Sequence, residues 1–197
     1  MRGNTMTHTV KLIAMAALLC AALPSQATLI SYQTALGPEV SGATGTGFVT
    51  VDYDTVAHTL GISSNWSGLS GTTTVAHIHC CTAAPGTGAV GVAVTPGTLP
   101  GFPVGVTTGS YDVLIDLTLS SNYTASFLSN FGLGTVAGAE AALIAGLNNG
   151  TAYFNIHSST FAGGEIRGFL AAVPEPATLA LLTLGLAGLG WSRRRQT

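Results

Sequence analysis

The sequence predicts a mainly β fold, an antiparallel β-sandwich with one crossover helix, flanked by an N-terminal signal peptide and a C-terminal transmembrane helix. Three observations lead there. In the middle of the chain, apolar and polar residues alternate with period two over short stretches, as in half-buried strands. One stretch alone, residues 135–147, changes to helical spacing. The two ends are apolar runs bordered by basic residues, in a chain of 197 residues of which only 7% are Asp, Glu, Lys or Arg.

At the N-terminus, Arg2 and Lys11 precede the apolar residues 12–23, and Ser25-Gln26-Ala27 places small residues where a signal peptidase cuts. Residues 1–27 therefore read as a signal peptide cleaved after Ala27, and an apolar core of about a dozen residues is short for a retained membrane helix. Cys20 leaves with it. Residues 28–172 are long enough for one domain with its own core.

Within that domain, residues 48–53 are rich in β-branched and aromatic side chains and end at Asp52-Tyr53-Asp54, a turn into a strand over 59–65. A strand over 75–79 follows, then Pro- and Gly-rich loops over 85–91 and 96–105. Tyr111, Val113, Ile115, Leu117 and Leu119 alternate with Asp112, Leu114, Asp116 and Thr118, so one face is core and the other carries two carboxylates. The alanine-rich 135–147 ends at Asn148-Asn149-Gly150, a helix C-cap signal, and serves as a crossover between two late strands. Those strands, 152–157 and 165–170, make a hairpin around Gly163-Gly164, with Ile156 opposite Ile166, Asn155 opposite Arg167 and His157 opposite Glu165.

Charge narrows the partners. Between residues 28 and 172 stand seven acidic residues, Glu39, Asp52, Asp54, Asp112, Asp116, Glu140 and Glu165, against Arg167 alone, a net charge of −6 with histidine neutral. Such a surface excludes nucleic acid and anionic lipid as ligands of the domain, because both reward Lys and Arg.

Polar chemistry gathers at two motifs. In Ala76-His77-Ile78-His79-Cys80-Cys81 the strand period sends His77 and His79 to one face. With His157 they make a candidate three-nitrogen set for zinc or copper, which a thiolate of Cys80 or Cys81 would complete. The competing reading is a structural polar cluster in which Asn155, Glu165 and Arg167 orient the imidazoles. Cys80 and Cys81 have their own alternative, a disulfide between neighbours or between chains in an oxidising compartment. No Gly-x-Ser-x-Gly elbow or phosphate-binding loop is present, so no catalytic residue is assigned and a non-catalytic role is expected.

The pattern His77-Ile78-His79, then Ala152-Tyr153-Phe154-Asn155-Ile156-His157 and Gly163-Gly164-Glu165-Ile166-Arg167-Gly168, resembles the CHRD domain, named for chordin, over most of residues 28–170. The resemblance implies an extracellular β domain for which no catalytic residues are established. Cys80-Cys81 departs from the glycine-containing turn that often follows the first histidine pair.

The last segment, 173–197, carries Pro174-Glu175-Pro176, an apolar run to Trp191, and Arg193, Arg194 and Arg195. The two prolines keep the motif extended, and the following run of about 15 residues spans roughly 22 Å as a helix, with snorkelling arginines covering the rest of the bilayer. This tail resembles the PEP-CTERM sorting signal of Gram-negative bacteria that make exopolysaccharide, which an exosortase recognises. The resemblance implies export through the inner membrane with signal peptidase and exosortase as processing partners. A tail-anchored stage with the domain periplasmic precedes the cell surface or extracellular matrix. There the expected role is binding of a surface protein or polysaccharide in a biofilm, through the acidic face and an exposed Trp66. The alternative is a metal-binding protein or metal-dependent enzyme centred on His77, His79 and His157.

Overall fold

In the computed structural model, which describes residues 28–174, the elements run β1 (Leu29–Pro38), β2 (Thr46–Asp54), β3 (Thr59–Ser67), β4 (Thr73–His79), β5 (Val92–Val94), β6 (Gly109–Asp116), α1 (Ala125–Asn130), α2 (Val136–Asn148), β7 (Tyr153–Ser158), β8 (Ile166–Phe169) and β9 (Ala171–Ala172). The signal peptide expected over 1–27, and the segment from Glu175 onward with its expected transmembrane helix and basic end, lie outside the described residues. Among the described residues no helix is long and apolar enough to cross a membrane.

All six expected strands are present, as β2, β3, β4, β6, β7 and β8, and β1, β5 and β9 are additional. The expected sandwich of two packed sheets is corrected to one antiparallel sheet, curled into a half-barrel, in the order β5-β4-β7-β8-β1-β2-β3-β6 with β9 paired to β1. The physical reason lies in β1. Over Leu29 to Leu36 it pairs with β2, its Tyr32 and Gln33 pair with Ala172 and Ala171 of β9, and its far end, Gly37 and Pro38, pairs with Arg167 and Ile166 of β8. One long strand thus belongs to both halves, and backbone hydrogen bonds continue where a sandwich would have a gap.

The β2–β3–β6 half follows the sequence pattern closely. In β3, Leu60, Ile62, Ser64 and Trp66 are buried while Ser63, Asn65 and Ser67 are exposed. Trp66, expected as an exposed contact, is 2% exposed and stacks on Phe102 with ring centroids 5.1 Å apart. The strand period places it on the core side, in phase with Leu60 and Ile62. Between β2 and β3, Asp54 Oδ1 accepts from the backbone N–H groups of Val56 and Ala57, both at 2.8 Å. Those bonds from Ala57 and Val56 hold its carboxyl below the usual range.

The crossover helix spans Val136–Asn148, one residue later than the pattern suggested, because Thr135 is its N-cap and accepts from the Gly138 N–H at 3.1 Å. Ala139, Leu143 and Leu147 are fully buried in the core of the curled sheet. Two inner-face tyrosines tie the helix down: Tyr32 OH donates to Asn148 Oδ1 and Tyr53 OH to Glu140 Oε1, each at 2.8 Å. Burial, and then Glu140, push the Tyr53 phenol up to about 12. Glu140 also meets His58 Nδ1 at 2.8 Å, at the exposed end of the β2–β3 turn. The pattern did not signal the short α1, which Thr124 caps by accepting from the Phe127 N–H at 3.2 Å.

Candidate functional site

The polar cluster is assembled by strand register. Across β4 and β7, Val75 faces His157, His77 faces Asn155 and His79 faces Tyr153, while across β7 and β8, Asn155 faces Arg167 and Tyr153 faces Phe169. Directly opposed residues share a face, and so do residues two apart. One face of this half therefore carries His77, His79, Tyr153, Asn155, His157 and Arg167. Ile78, Phe154, Ile156 and Ile166, each with no exposed surface, occupy the other.

The polar face is covered. The β4–β5 connection brings the carbonyl of Val90 over it, the loop after β5 that of Gly97, and the β7–β8 turn that of Ala162. His77, His79 and Asn155 are consequently buried, at 7%, 8% and 1% exposure, and His157 is half-buried.

Those carbonyls also set the tautomers. His77 Nε2 lies 2.7 Å from Gly97 O, His79 Nδ1 2.7 Å from Val90 O, and His157 Nδ1 2.7 Å from Ala162 O. A carbonyl oxygen only accepts, so each of these nitrogens carries a proton, and in neutral rings the opposite nitrogens are bare. The rings come together, with one nitrogen from each of the three histidines within 4.8 Å of the others. His77 Nδ1 is 3.3 Å from His157 Nε2. Asn155 sits among them, its Nδ2 3.0 Å from His157 Nε2 and its Oδ1 3.2 Å from His79 Nε2. Burial, outweighing the help of the Gly97 carbonyl, lowers the pKa of His77, and the neighbouring imidazoles add to it. Burial lowers His79 likewise, against the Val90 carbonyl.

Other candidate residues fall elsewhere. Glu165, expected to orient an imidazole, is fully buried and its carboxylate accepts from the Ser70 N–H instead. The β7–β8 ladder ends at Ile156 and Ile166, and the chain turns at Gly164, so Glu165 points into the 70–71 loop. Arg167 makes no hydrogen bond to an imidazole: it pairs with Glu39 at 3.2 Å, donates to Gly88 O at 3.0 Å, and lies over the rings of Tyr153 and Phe169. Cys80 and Cys81 are joined to each other as a disulfide, through a cis peptide bond, and their sulfurs pack against α2 at Ala142. Neither sulfur joins the histidine set: Cys80, in phase with Ile78, lies in the core with Cys81 packed against it, and both sulfurs approach the Ala142 carbonyl.

Two members of the site were missed. Tyr153 stacks on His79 with centroids 4.6 Å apart and planes 4° apart, and its place two residues before Asn155 on a strand was the available signal. Glu39 closes the rim beside Arg167, with its Oε2 buried and without a hydrogen-bond partner. A Cβ on Gly164, whose φ is +127°, would collide with that oxygen. No local pattern joins Glu39 to Arg167, since the two strands carrying this corner are distant in the chain.

Known proteins add the family. Residues 172–195 match the PEP-CTERM protein-sorting motif, which marks a protein for export, exosortase processing and sorting to the cell surface. Neither curated proteins nor solved structures yield a match. Residues 25–170 match the CHRD domain, so the three histidines, Asn155 and the Gly-Gly-Glu-Ile-Arg-Gly turn belong to a member of the CHRD domain family.

Proposed function

We propose that this chain delivers its CHRD domain to the cell surface as a non-catalytic binding or matrix module, in the exopolysaccharide setting that the sorting signal suggests. One observation carries the reading. The domain match ends at residue 170 and the sorting match begins at 172, so the domain is joined directly to its address. The structure is compatible with that junction: Val173 N–H donates to Ser31 O at 2.8 Å, and the proline motif starts at the next residue, beyond the last strand.

The contact surface in this reading is the outer face of β2, β3 and β6, where Asp52, Ser63, Asp112 and Leu114 line a shallow groove. Hydroxyl and carboxylate groups there suit hydrogen bonding to a polyol or to a basic protein segment. Leu114, 69% exposed, adds apolar contact.

Replacing Pro174, Glu175 and Pro176 together by alanine is the test of delivery. Uncut precursor should then accumulate in the membrane fraction, and unchanged processing overturns the reading. For the binding role, the processed protein should be retained by exopolysaccharide or by intact cells, and Asp112→Asn with Leu114→Ala should release it. Retention that ignores both changes defeats the assignment of this face.

A further inference from the structure

We propose that His77, His79 and His157 form a three-nitrogen binding site for a divalent cation of the zinc or copper class, with their ring orientations preset by the Gly97, Val90 and Ala162 carbonyls. The site is independent of the binding face proposed above, which lies on the other half of the sheet.

The hydrogen bonds among the three rings do not balance. With protons held at the three carbonyls, His77 Nδ1 and His157 Nε2 face each other at 3.3 Å as two lone pairs. Asn155 cannot correct this. In one amide orientation its NH₂ donates to His157 Nε2 at 3.0 Å while its Oδ1 confronts the bare His79 Nε2 at 3.2 Å. In the flipped orientation the mismatch moves to His157. Lone pairs facing one another in a buried place call for a positive centre between them.

A proton and a metal ion are the two candidates. One proton is shared by two of these nitrogens at most, whereas a metal ion takes all three. Distances favour the metal. Tetrahedral zinc with bonds to nitrogen of about 2.0–2.1 Å separates its ligand atoms by about 3.3 Å, and His77 Nδ1 and His157 Nε2 are already 3.3 Å apart. The third nitrogen lies within 4.8 Å of both. Each ring also donates its outer N–H to a backbone carbonyl at 2.7 Å, the arrangement that orients metal-binding imidazoles and raises their basicity. Imidazole sets without thiolate suit zinc and copper(II) over calcium or magnesium. The guanidinium on this face, Arg167, is balanced by Glu39 at 3.2 Å.

The test uses the full-length chain without a histidine tag, purified in detergent, stripped with chelator and reloaded with Zn²⁺ or Cu²⁺. The expected result is about one ion per chain retained through dialysis, a higher thermal midpoint on loading, and affinity weakened at least about tenfold by His77→Gln, His79→Gln or His157→Gln. His58→Gln, on the opposite half, should bind as the parent does. Should a glutamine variant fail to fold, X-ray absorption of the loaded parent decides, with three imidazoles around the ion supporting the site. Two outcomes overturn it: a folded parent that retains no stoichiometric metal, with nitrogen NMR showing a proton shared by the imidazoles, or metal retained equally by all three folded variants.

Discussion

In β3 every second side chain from Leu60 to Trp66 is buried and those between are open, whereas in β4 and β7 nearly every position is buried on both faces. The two halves of one sheet thus use the same strand period differently. On β2, β3 and β6 the outward row meets water, so Asp112, Ser63 and Leu114 need no partners within the protein. On β4, β7 and β8 the equivalent row lies beneath loops on either side of β5 and the β7–β8 turn, so each polar atom must find a protein partner or pay the desolvation cost. Polar residues on a strand therefore do not mark solvent. They mark chemistry when a loop closes over them.

The largest effect that tests this contrast is Phe154→Ala. Phe154 is fully buried in the doubly covered half, and its loss should cost about 3–5 kcal/mol in denaturant unfolding, by lost burial and residual cavity. A cost near that of an exposed site would break the comparison.

Glu165→Gln should follow, at about 1–3 kcal/mol, because a fully buried carboxylate loses charge-assisted bonds. It also predicts a pH dependence. Burial raises the Glu165 pKa, but bonds from Ser158, Ser70 and Gly71 outweigh it and the net shift is downward from 4.5. The folded state therefore binds this proton less readily than the unfolded chain. Its contribution is complete above 4.5 and is lost as pH falls through the lower folded value. Wild-type unfolding free energy should decline in that acid window, and the decline should be shallower in Glu165→Gln. Parallel slopes would mean that other carboxylates, such as Asp54 and Asp116, carry the acid sensitivity.

Gly146→Ala sharpens the role of α2. Helix propensity alone favours alanine by about 1 kcal/mol. Here a Cβ would strike Cys80 Sγ and stand 2.7 Å from Cys81 Sγ, so a net loss of about 1–2 kcal/mol is expected from thermal unfolding. A stabilised variant would show that the helix can shift away from the cysteine pair at little cost. The smallest effect belongs to Leu114→Ala on the open face, within about 0.5 kcal/mol of the parent.

Much of the fold was legible because most strands carry their signal locally. Period two identified β6, β-branched and aromatic composition identified β2, and the switch to helical spacing over 135–147 located α2 to within a residue. The hairpin register was legible too, since Ile156 opposite Ile166 and Asn155 opposite Arg167 follow from one apolar pair and a glycine turn. The single curled sheet was not, because it depends on β1 pairing with its neighbour β2 along most of its length and with β8 at its end, a partner separated from it by most of the chain. At the site, alternation put His77 with His79 and Asn155 with His157, but it could not distinguish a solvated row from a covered one. Trp66 was misplaced because residue type was read ahead of its phase with Leu60 and Ile62, and Glu165 because the β7–β8 ladder ends at Ile156 and Ile166, short of His157.

By itself the sequence determined the family, the sorting motif, most strands and the side-chain rows, because each is written in neighbouring residues. Only the tertiary structure decided that three imidazoles converge, that the two cysteines turn away from them, and that Glu39 rather than Glu165 meets Arg167. Those outcomes rest on which carbonyls the loops lay over the sheet and on contacts between residues far apart in the chain, and no local periodicity records either.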